Sequence, residues 1–161
     1  MKQSRWCGLV VTLCMAGFPL IQAQAAQAGS AELATKGEKL AKMCDTCHTV
    51  MGPDGKPVIG ELAGGKVAVP GAAGANLTPS PSGIGKFTEK MFDGALRDGE
   101  VDGRKLKVMN PVLFRSLSDD DLHAIWVYVR QLPKVNHIVD NTKPATPCKK
   151  CGQVHGGGDQ N

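Results

Sequence analysis

The chain has 161 residues and a formal net charge of +4, and 42% of its residues are hydrophobic but only 4% are aromatic. This length is that of one domain once a targeting segment is removed, and the charge is too small to indicate a nucleic-acid-binding protein. Because aromatic residues are few and glycines number 20, the side chains alone predict a poor core. The composition therefore indicates a domain that folds around a large apolar group.

The N-terminus has the pattern of an export signal. Lys2 and Arg5 precede a largely apolar run over residues 6–21, and small residues follow up to Ala25. The apolar run is short for a membrane span, so we expect a signal peptide of residues 1–25, with an uncleaved membrane anchor as the alternative. Its removal leaves 136 residues with a formal charge of +2, which we expect in the periplasm.

Residues 33–44 predict a short amphipathic helix. Apolar or small residues recur there at helical spacing, and lysines lie on the opposite side together with Glu38. Gly37 in the interior of this helix costs roughly 1 kcal/mol of helix propensity relative to alanine. We therefore expect Gly37 to allow a second helix to cross closely, the alternative being an incidental glycine in a frayed first turn.

The most specific motif of the chain is Cys44-Asp45-Thr46-Cys47-His48. Two thiols at this spacing, followed directly by an imidazole, are typical of c-type haem attachment, in which the sulfurs bond the porphyrin vinyl groups and the histidine lies under the iron. A cysteine pair alone would equally suit a redox dithiol or half of a zinc site. The adjacent His48 favours haem, and because the motif occurs once, we expect one covalent haem c.

Residues 49–81 are rich in Gly, Pro and Ala and have no sustained period. A loop of this length in a compact domain is usually functional or disordered, and we expect it to be ordered by wrapping around the haem. Within it, Val67 and Val69 alternate with Lys66 and Ala68, which predicts at most a very short strand or hairpin arm.

Two further helices are predicted after the loop. Thr88 has the character of an N-cap for a helix that carries Phe92 and Leu96 on one face and ends before Gly99. A loop that contains Met109 follows this helix. Ser118 then predicts the N-cap of the best-marked helix of the chain.

The helix after Ser118 has the clearest signals. Asp121 completes an approximate capping box with Ser118, and the acidic first turn suits the helix dipole. Pro133 ends the helix, and its apolar stripe consists of Leu122, Ile125, Trp126, Val129 and Leu132. We expect this stripe to pack against the first helix.

Residues 136–161 lose the helical period and predict a flexible tail. This segment contains Cys148 and Cys151, which in an oxidising compartment most simply form a disulfide. A metal site is the alternative, with His155 as a third ligand and Asp159, water or a partner as the fourth. A redox-active thiol pair next to two lysines is the remaining interpretation.

The order of these features resembles the class I cytochrome c fold, and more narrowly the cytochrome domains of alcohol and aldehyde dehydrogenase cytochrome subunits and related small mono-haem cytochromes. The residues that carry the resemblance lie between about residues 33 and 135 and are Leu62-Ala63-Gly64-Gly65, Asn76-Leu77-Thr78-Pro79, Gly83-Ile84-Gly85, Phe92, Ala95-Leu96-Arg97-Asp98-Gly99, Gly103-Arg104, Met109, Leu117-Ser118-Asp119 and Leu132-Pro133. The resemblance implies an all-α fold, with short helices and long loops wrapped around one covalent haem over residues 26–135.

The iron ligands decide between a carrier and an enzyme. His48 is the expected proximal ligand, with its other ring nitrogen held by a backbone carbonyl of the following loop. Met109 is the expected distal ligand, because it lies 61 residues beyond His48 on a loop and thioether ligation raises the reduction potential. His123, His137 and His155 are the competing ligands. Asn76, Thr78 and Arg104 are, by resemblance only, candidates for polar contacts near the haem edge, and simple turn chemistry is the alternative for the first two.

A six-coordinate haem has no exchangeable site, so we expect an electron carrier and not an enzyme. The alternative is a haem enzyme or small-ligand binder with an exchangeable sixth position. Expected partners are redox proteins, such as a dehydrogenase, a quinol-oxidising complex or a terminal oxidase or reductase. We expect no nucleic-acid partner, and contact with a membrane only if the signal is not cleaved.

Overall fold

The computed structural model describes the backbone of residues 18–161 and the side chains of residues 29–161. The first 17 residues of the predicted signal peptide lie outside this range. In chain order the elements are α1 Phe18–His48, β1 Val67–Val69, β2 Ala72–Ala73, α2 Glu89–Arg97, β3 Glu100–Val101, β4 Arg104–Lys105, α3 Asp119–Gln131, β5 Ala145–Pro147 and β6 Val154–Gly156. A 3₁₀ turn at Pro111–Phe114 and another at Gly158–Gln160 complete them.

Within the described residues, helices α1, α2 and α3 and the loops between them build the core. Helix α1 is longer than the predicted helix at both ends, and the cysteine–histidine motif occupies its last turns. The buried core residues are Ala41, Leu62, Ile84, Phe92, Leu96, Phe114, Leu122, Ile125, Val129 and Leu132. Within the described residues no helix is long and apolar enough to cross a membrane.

The crossing of α1 and α3 has the close approach expected at Gly37. A Cβ atom built on Gly37 would lie 1.9 Å from the carbonyl oxygen of Ala124 and 2.8 Å from Cβ of Tyr128. Lys36 beside it forms a 2.7 Å ion pair with Asp121 of α3. The small residue therefore sets the distance between the two helices, and it faces Ala124 and Tyr128 of α3.

Both predicted helix starts are confirmed. The Thr88 hydroxyl accepts a hydrogen bond from the Met91 amide at the start of α2. At the start of α3, Ser118 and Asp121 form the reciprocal capping box. Hydrogen bonds from Lys36 and then from Ser118 lower the pKa of Asp121 to about 2, so this cap is charged at neutral pH.

In the part of the chain that the structure describes, three antiparallel hairpins accompany the helices. The first pairs β1 with β2, which confirms the short hairpin arm predicted around Val67. The second pairs β3 with β4, and the third pairs β5 with β6. The all-α expectation therefore describes the core but omits these hairpins, each of which has strands of only two or three residues.

Residues 136–161, which the sequence predicts to be a flexible tail, are folded in the structure. Hairpin β5–β6 lies at its centre, and the Asn141 side chain exchanges hydrogen bonds with both backbone groups of Ala73. A Cβ on Gly156 would lie 1.7 Å from the carbonyl oxygen of Asp140, so the segment is closely packed on itself. The prediction of a tail rested on the absence of a helical period in the sequence. Short strands and turns also lack that period, so its absence does not distinguish them from a flexible tail.

Replacement of Gly37 by alanine tests the helix crossing. The added methyl group meets the α3 backbone, so we expect a loss of about 1–3 kcal/mol in the free energy of unfolding, measured by urea denaturation. Gly29 is the matched control, since a Cβ there has nothing within 4 Å. We expect Gly29→Ala to be neutral or slightly stabilising, and equal stability of the two variants would contradict the close crossing.

Candidate haem site

Cys44, Cys47 and His48 lie on the last turn of α1. Residues three apart on a helix share a face, so this turn presents the two sulfurs together. Both cysteines are half-buried and free, and His48 is buried. Cys44 packs against the hydrophobic core, and burial, followed by the charge of Asp45 and by Cys47, raises its pKa to about 11. The Cys44 side chain is therefore a neutral thiol at neutral pH.

The ring of His48 is held in one orientation. Its Nδ1 lies 2.7 Å from the carbonyl oxygen of Ala75, which confirms the expectation that a backbone carbonyl of the following loop holds it. A carbonyl only accepts hydrogen bonds, so Nδ1 carries the proton and Nε2 offers a lone pair. Burial lowers the pKa of His48, and the bond to Ala75 opposes this effect. The ring is thus a neutral imidazole, the form that ligates metals.

The loop after the motif closes tightly over the end of α1. The amide of Gly64 donates a 2.7 Å hydrogen bond to the carbonyl oxygen of His48. A Cβ on Gly74 would lie 1.9 Å from the carbonyl oxygen of Cys47, so a larger residue at Gly74 would collide with the motif. Gly65 and Gly74 are themselves joined by a 2.9 Å backbone hydrogen bond. This loop therefore fixes both the backbone and the ring of His48.

The residues of this turn fit a covalent haem. Two thiols and a neutral imidazole with its Nδ1 proton engaged are the donor set that haem c attachment requires. Apolar side chains border the same core and are only partly buried, namely Leu77, Phe87, Met109, Leu117 and Trp126. Cys44, Cys47 and His48 would hold the group, and Cys44 itself packs against that core.

Met109 lies on the loop between β4 and the 3₁₀ turn at Pro111–Phe114. It is partly buried and packs against the same hydrophobic core as Cys44. Met43 and Met51 are 45% and 49% exposed, so they lack this packing. Of these three methionines, the predicted distal ligand is the one that faces the core.

Asn76 and Thr78 are buried, but their polar atoms bond within the protein. The Asn76 amide nitrogen donates to the carbonyl oxygens of Val135 and His137 at 2.8 and 3.1 Å. The Asn76 oxygen accepts hydrogen bonds from the Thr78 amide and hydroxyl. The two side chains therefore shape a turn and tie it to the C-terminal segment, whereas Arg104 is exposed on β4.

The competing histidines are engaged elsewhere. His123 is exposed on α3, and its Nδ1 lies 2.6 Å from Glu89. His137 and His155 are buried beside each other, together with Cys148 and Cys151. Sequence reasoning treated His137 only as a rival iron ligand and thus missed it as a neighbour of the cysteine pair. The signal that could have identified it is a histidine shortly before a Cys-x-x-Cys-x-x-x-His sequence.

Replacement of Asn76 by alanine separates a turn role from a haem contact. It removes the donor to Val135 and His137, so we expect a loss of about 1–3 kcal/mol in unfolding free energy with an unchanged haem absorption spectrum. Asn110→Ala is the control, since Asn110 is exposed and caps only the 3₁₀ turn, with a cost of about 1 kcal/mol or less. An altered spectrum with unchanged stability would instead assign Asn76 to the haem edge.

Comparisons with known proteins identify relatives of this chain among cytochrome c subunits. No family model matches the chain. The chain is 34% identical over 129 residues, 74% of its length, to the cytochrome c subunit of alcohol dehydrogenase (quinone) from Gluconacetobacter polyoxogenes, and equally to that from Komagataeibacter europaeus. The chain spans about a quarter of these relatives' length, since the match covers 27% of each. Both relatives are cytochrome c subunits, which agrees with the expectation that this protein is not an enzyme. The similarity supports a cytochrome c-related family for this chain.

Proposed function

We propose that this protein is a periplasmic mono-haem c-type cytochrome that carries single electrons between redox proteins. The observation that carries the proposal is the orientation and tautomer of the His48 ring. Its Nδ1–H donates a hydrogen bond to the Ala75 carbonyl oxygen, and its Nε2 therefore has a free lone pair. Cys44 and Cys47 lie on the same helical turn, where their thiols are available for thioether bonds. The similarity to cytochrome c subunits supports the same reading.

The proposed roles follow from the chemistry of each side chain. Cys44 and Cys47 would bond the vinyl groups of one haem c, and His48 would ligate the iron from the proximal side. When bound, the haem supplies an iron that changes its charge by one electron. The Ala75 carbonyl keeps the His48 ring in place, and the bond from Gly64 to His48 keeps its backbone in place. This rigidity favours electron transfer, because the ligand does not reorient when the charge changes.

Met109 is the proposed distal ligand. Its packing against the same hydrophobic core as Cys44 supports this role, and a thioether ligand raises the reduction potential of a haem. The Met109 loop also packs closely against the end of α2, since a Cβ on Gly99 would lie 3.2 Å from the Met109 carbonyl oxygen and 3.1 Å from the Pro111 ring. A fixed sixth ligand leaves no position for a substrate, in keeping with a carrier.

The surface around Met109 suits a protein partner. Val108, Val112 and Leu113 are exposed, Leu113 by 63%, and Lys105 and Lys107 are exposed nearby on the chain. An apolar patch with a charged rim is the usual composition of a transient interface. The named relatives are subunits of alcohol dehydrogenase (quinone), so we propose a dehydrogenase as the electron donor.

The proposed location rests on the N-terminal sequence and on the chemistry of attachment. Lys2, Arg5 and the apolar run that follows are typical of an export signal. Export would bring the thiols of Cys44 and Cys47 to the compartment where we expect their thioether bonds to form.

The number of haems tests the attachment. We expect the intact mass of the exported protein to exceed that of its polypeptide by one haem, because the chain has one Cys-x-x-Cys-His motif. The Cys44→Ser, Cys47→Ser double variant should lose this covalent increment. A mass increment of two haems, or none, would overturn the proposal.

Replacement of Met109 by alanine tests the distal ligand. We expect loss of the sulfur-to-iron charge-transfer band of the oxidised protein, a lower reduction potential, and binding of carbon monoxide to the reduced protein. Met91→Ala is the control, because Met91 lies in α2 and should affect packing alone. An unchanged spectrum in Met109→Ala would reject the assignment. Carbon monoxide binding by the unaltered protein would favour the alternative, a ligand binder with an exchangeable sixth position.

A further inference from the structure

Four metal-ligating side chains meet in the C-terminal segment, apart from the candidate haem site. The donor atoms of His137, Cys148, Cys151 and His155 all lie within 4.8 Å of one another, and all four residues are buried. His137 is completely buried. Such a collection of polar groups inside a protein requires partners that offset the loss of water. A cation shared by the four donors would be a partner for all of them at once.

The spacing of these atoms matches a tetrahedral zinc site. Nε2 of His137 lies 3.2 Å from Nε2 of His155. The sulfurs of Cys148 and Cys151 each lie 3.4 Å from one of these nitrogens. Zinc bonds of about 2.3 Å to sulfur and 2.0–2.1 Å to nitrogen give tetrahedral edges of about 3.3 Å between nitrogens and about 3.5 Å between nitrogen and sulfur. These three separations match the corresponding edges to within about 0.1–0.2 Å, and the remaining pairs of donor atoms lie within 4.8 Å of each other.

The hydrogen bonds of the two rings point to a positive charge between them. Nδ1 of His137 lies 2.8 Å from the carbonyl oxygen of Ala63, and Nδ1 of His155 lies 3.1 Å from that of Gly156. Since carbonyls only accept hydrogen bonds, both Nδ1 atoms carry protons and the two Nε2 lone pairs face each other. A cation bound to both lone pairs removes this repulsion, and a ligating histidine typically donates its other N–H in this way.

The backbone turn presents the two sulfurs on one side. The Gly152 amide donates to the carbonyl oxygen of Cys148, and the Cys148 amide donates to that of Gln153. Gly152 has φ of +71°, a conformation that favours glycine. The side-chain amide of Asn161 lies 3.6 Å from the Cys148 sulfur, where it can donate to a thiolate. Both cysteines are free in the structure, and each sulfur faces an imidazole.

The cluster is packed against the loop that holds His48. A Cβ on Gly65 would lie 2.5 Å from Cε1 of His137 and 3.2 Å from the Cys151 sulfur. The Ala63 carbonyl that orients His137 immediately precedes Gly64, whose amide bonds the His48 backbone. A metal at the cluster would therefore hold the C-terminal segment on the loop that positions the proximal ligand.

We propose that His137, Cys148, Cys151 and His155 bind one structural Zn²⁺ ion, which fastens the C-terminal segment to the loop over residues 62–75. Two thiolates and two imidazoles in tetrahedral arrangement select zinc among the common divalent cations. Four protein ligands leave no open position, so the site is structural and not catalytic. The site is independent of the haem, because it shares no ligand with Cys44, Cys47, His48 or Met109.

The first test uses the exported, haem-loaded protein, purified without chelators from zinc-supplemented medium. We expect about one zinc per chain by elemental analysis, with the polypeptide quantified by amino-acid analysis. X-ray absorption at the zinc edge should give two sulfur and two nitrogen neighbours, and haem iron does not interfere at that edge. An intramolecular Cys148–Cys151 disulfide without zinc, detected as thiols that resist alkylation until reduction, would overturn the proposal. One equivalent of another metal in place of zinc would also overturn it.

A variant pair separates a zinc site from a disulfide. His155→Ala removes one ligand but neither cysteine, so we expect zinc content to fall to about one-tenth or less and both thiols to become reactive. A disulfide would survive this change, and unreactive thiols with unchanged zinc content would contradict the proposal. His123→Ala is the matched control, because His123 lies exposed on α3 and should retain full zinc content. If His155→Ala fails to fold, the zinc content and the X-ray absorption edge of the unaltered protein still distinguish a zinc site from a disulfide.

Zinc removal from the intact protein measures the role of the site. A strong chelator should lower the thermal midpoint, and added zinc should restore it, because a ligand that binds only the folded state stabilises it. Covalent haem content should be unchanged, so loss of zinc binding and loss of haem attachment are distinguishable. A midpoint unaffected by removal of bound zinc would contradict the proposed structural role.

Discussion

The closure of the loop over residues 62–75 on the end of α1 is the constraint on which the rest of the structure depends. One hydrogen bond, from the Gly64 amide to the His48 carbonyl, fixes the backbone, and a second, from His48 to the Ala75 carbonyl, fixes the ring. Gly74 allows the loop to lie against the Cys47 carbonyl with no room for a side chain. The orientation of the ligand therefore depends on backbone contacts of a loop that has little secondary structure of its own.

Such a loop needs support from other parts of the chain, and the C-terminal segment supplies it. Asn141 bonds both backbone groups of Ala73, and His137 bonds the Ala63 carbonyl. Asn76, on the loop side, donates to Val135 and His137 in return. Buried polar groups with fully engaged partners specify one arrangement, so these contacts hold the loop in register. The four-residue cluster at His137 lies where the two segments meet, which is where a cross-link has the largest effect on the loop.

The helix crossing provides the rigid frame for this loop. Gly37 permits the α1 backbone to contact Ala124 of α3, and the ion pair of Lys36 with Asp121 lies at the start of α3. Because the cysteine–histidine motif is the end of α1 itself, the position of α3 determines where the motif lies relative to the core. The partly buried side chains that pack against the core, Cys44 among them, come from α1, from α3 and from the loops between the helices.

The features that the sequence alone determined are local. The Cys-x-x-Cys-His motif, the caps at Thr88 and Ser118 and the hairpin arm at Val67 each depend on a few adjacent residues, so their spacing suffices to predict them. The resemblance to cytochrome domains rests on the same short motifs and is supported by the relatives found. The Met109 assignment stays a prediction, with its packing against the core as support.

The features that only the tertiary structure decided depend on pairings between distant residues. His137 meets His155 across 18 residues and Ala63 across 74 residues, and the spacing of the cysteines and histidines does not encode the contact with Ala63. The C-terminal segment was predicted to be a flexible tail for the same reason. Its short strands and turns are stabilised by contacts with distant residues, and no helical period in the sequence marks them. Asn76 shows most clearly what the sequence alone does not determine. Its sequence context allowed either a turn or a haem contact, and the carbonyls of Val135 and His137, brought close only by folding, engage its amide.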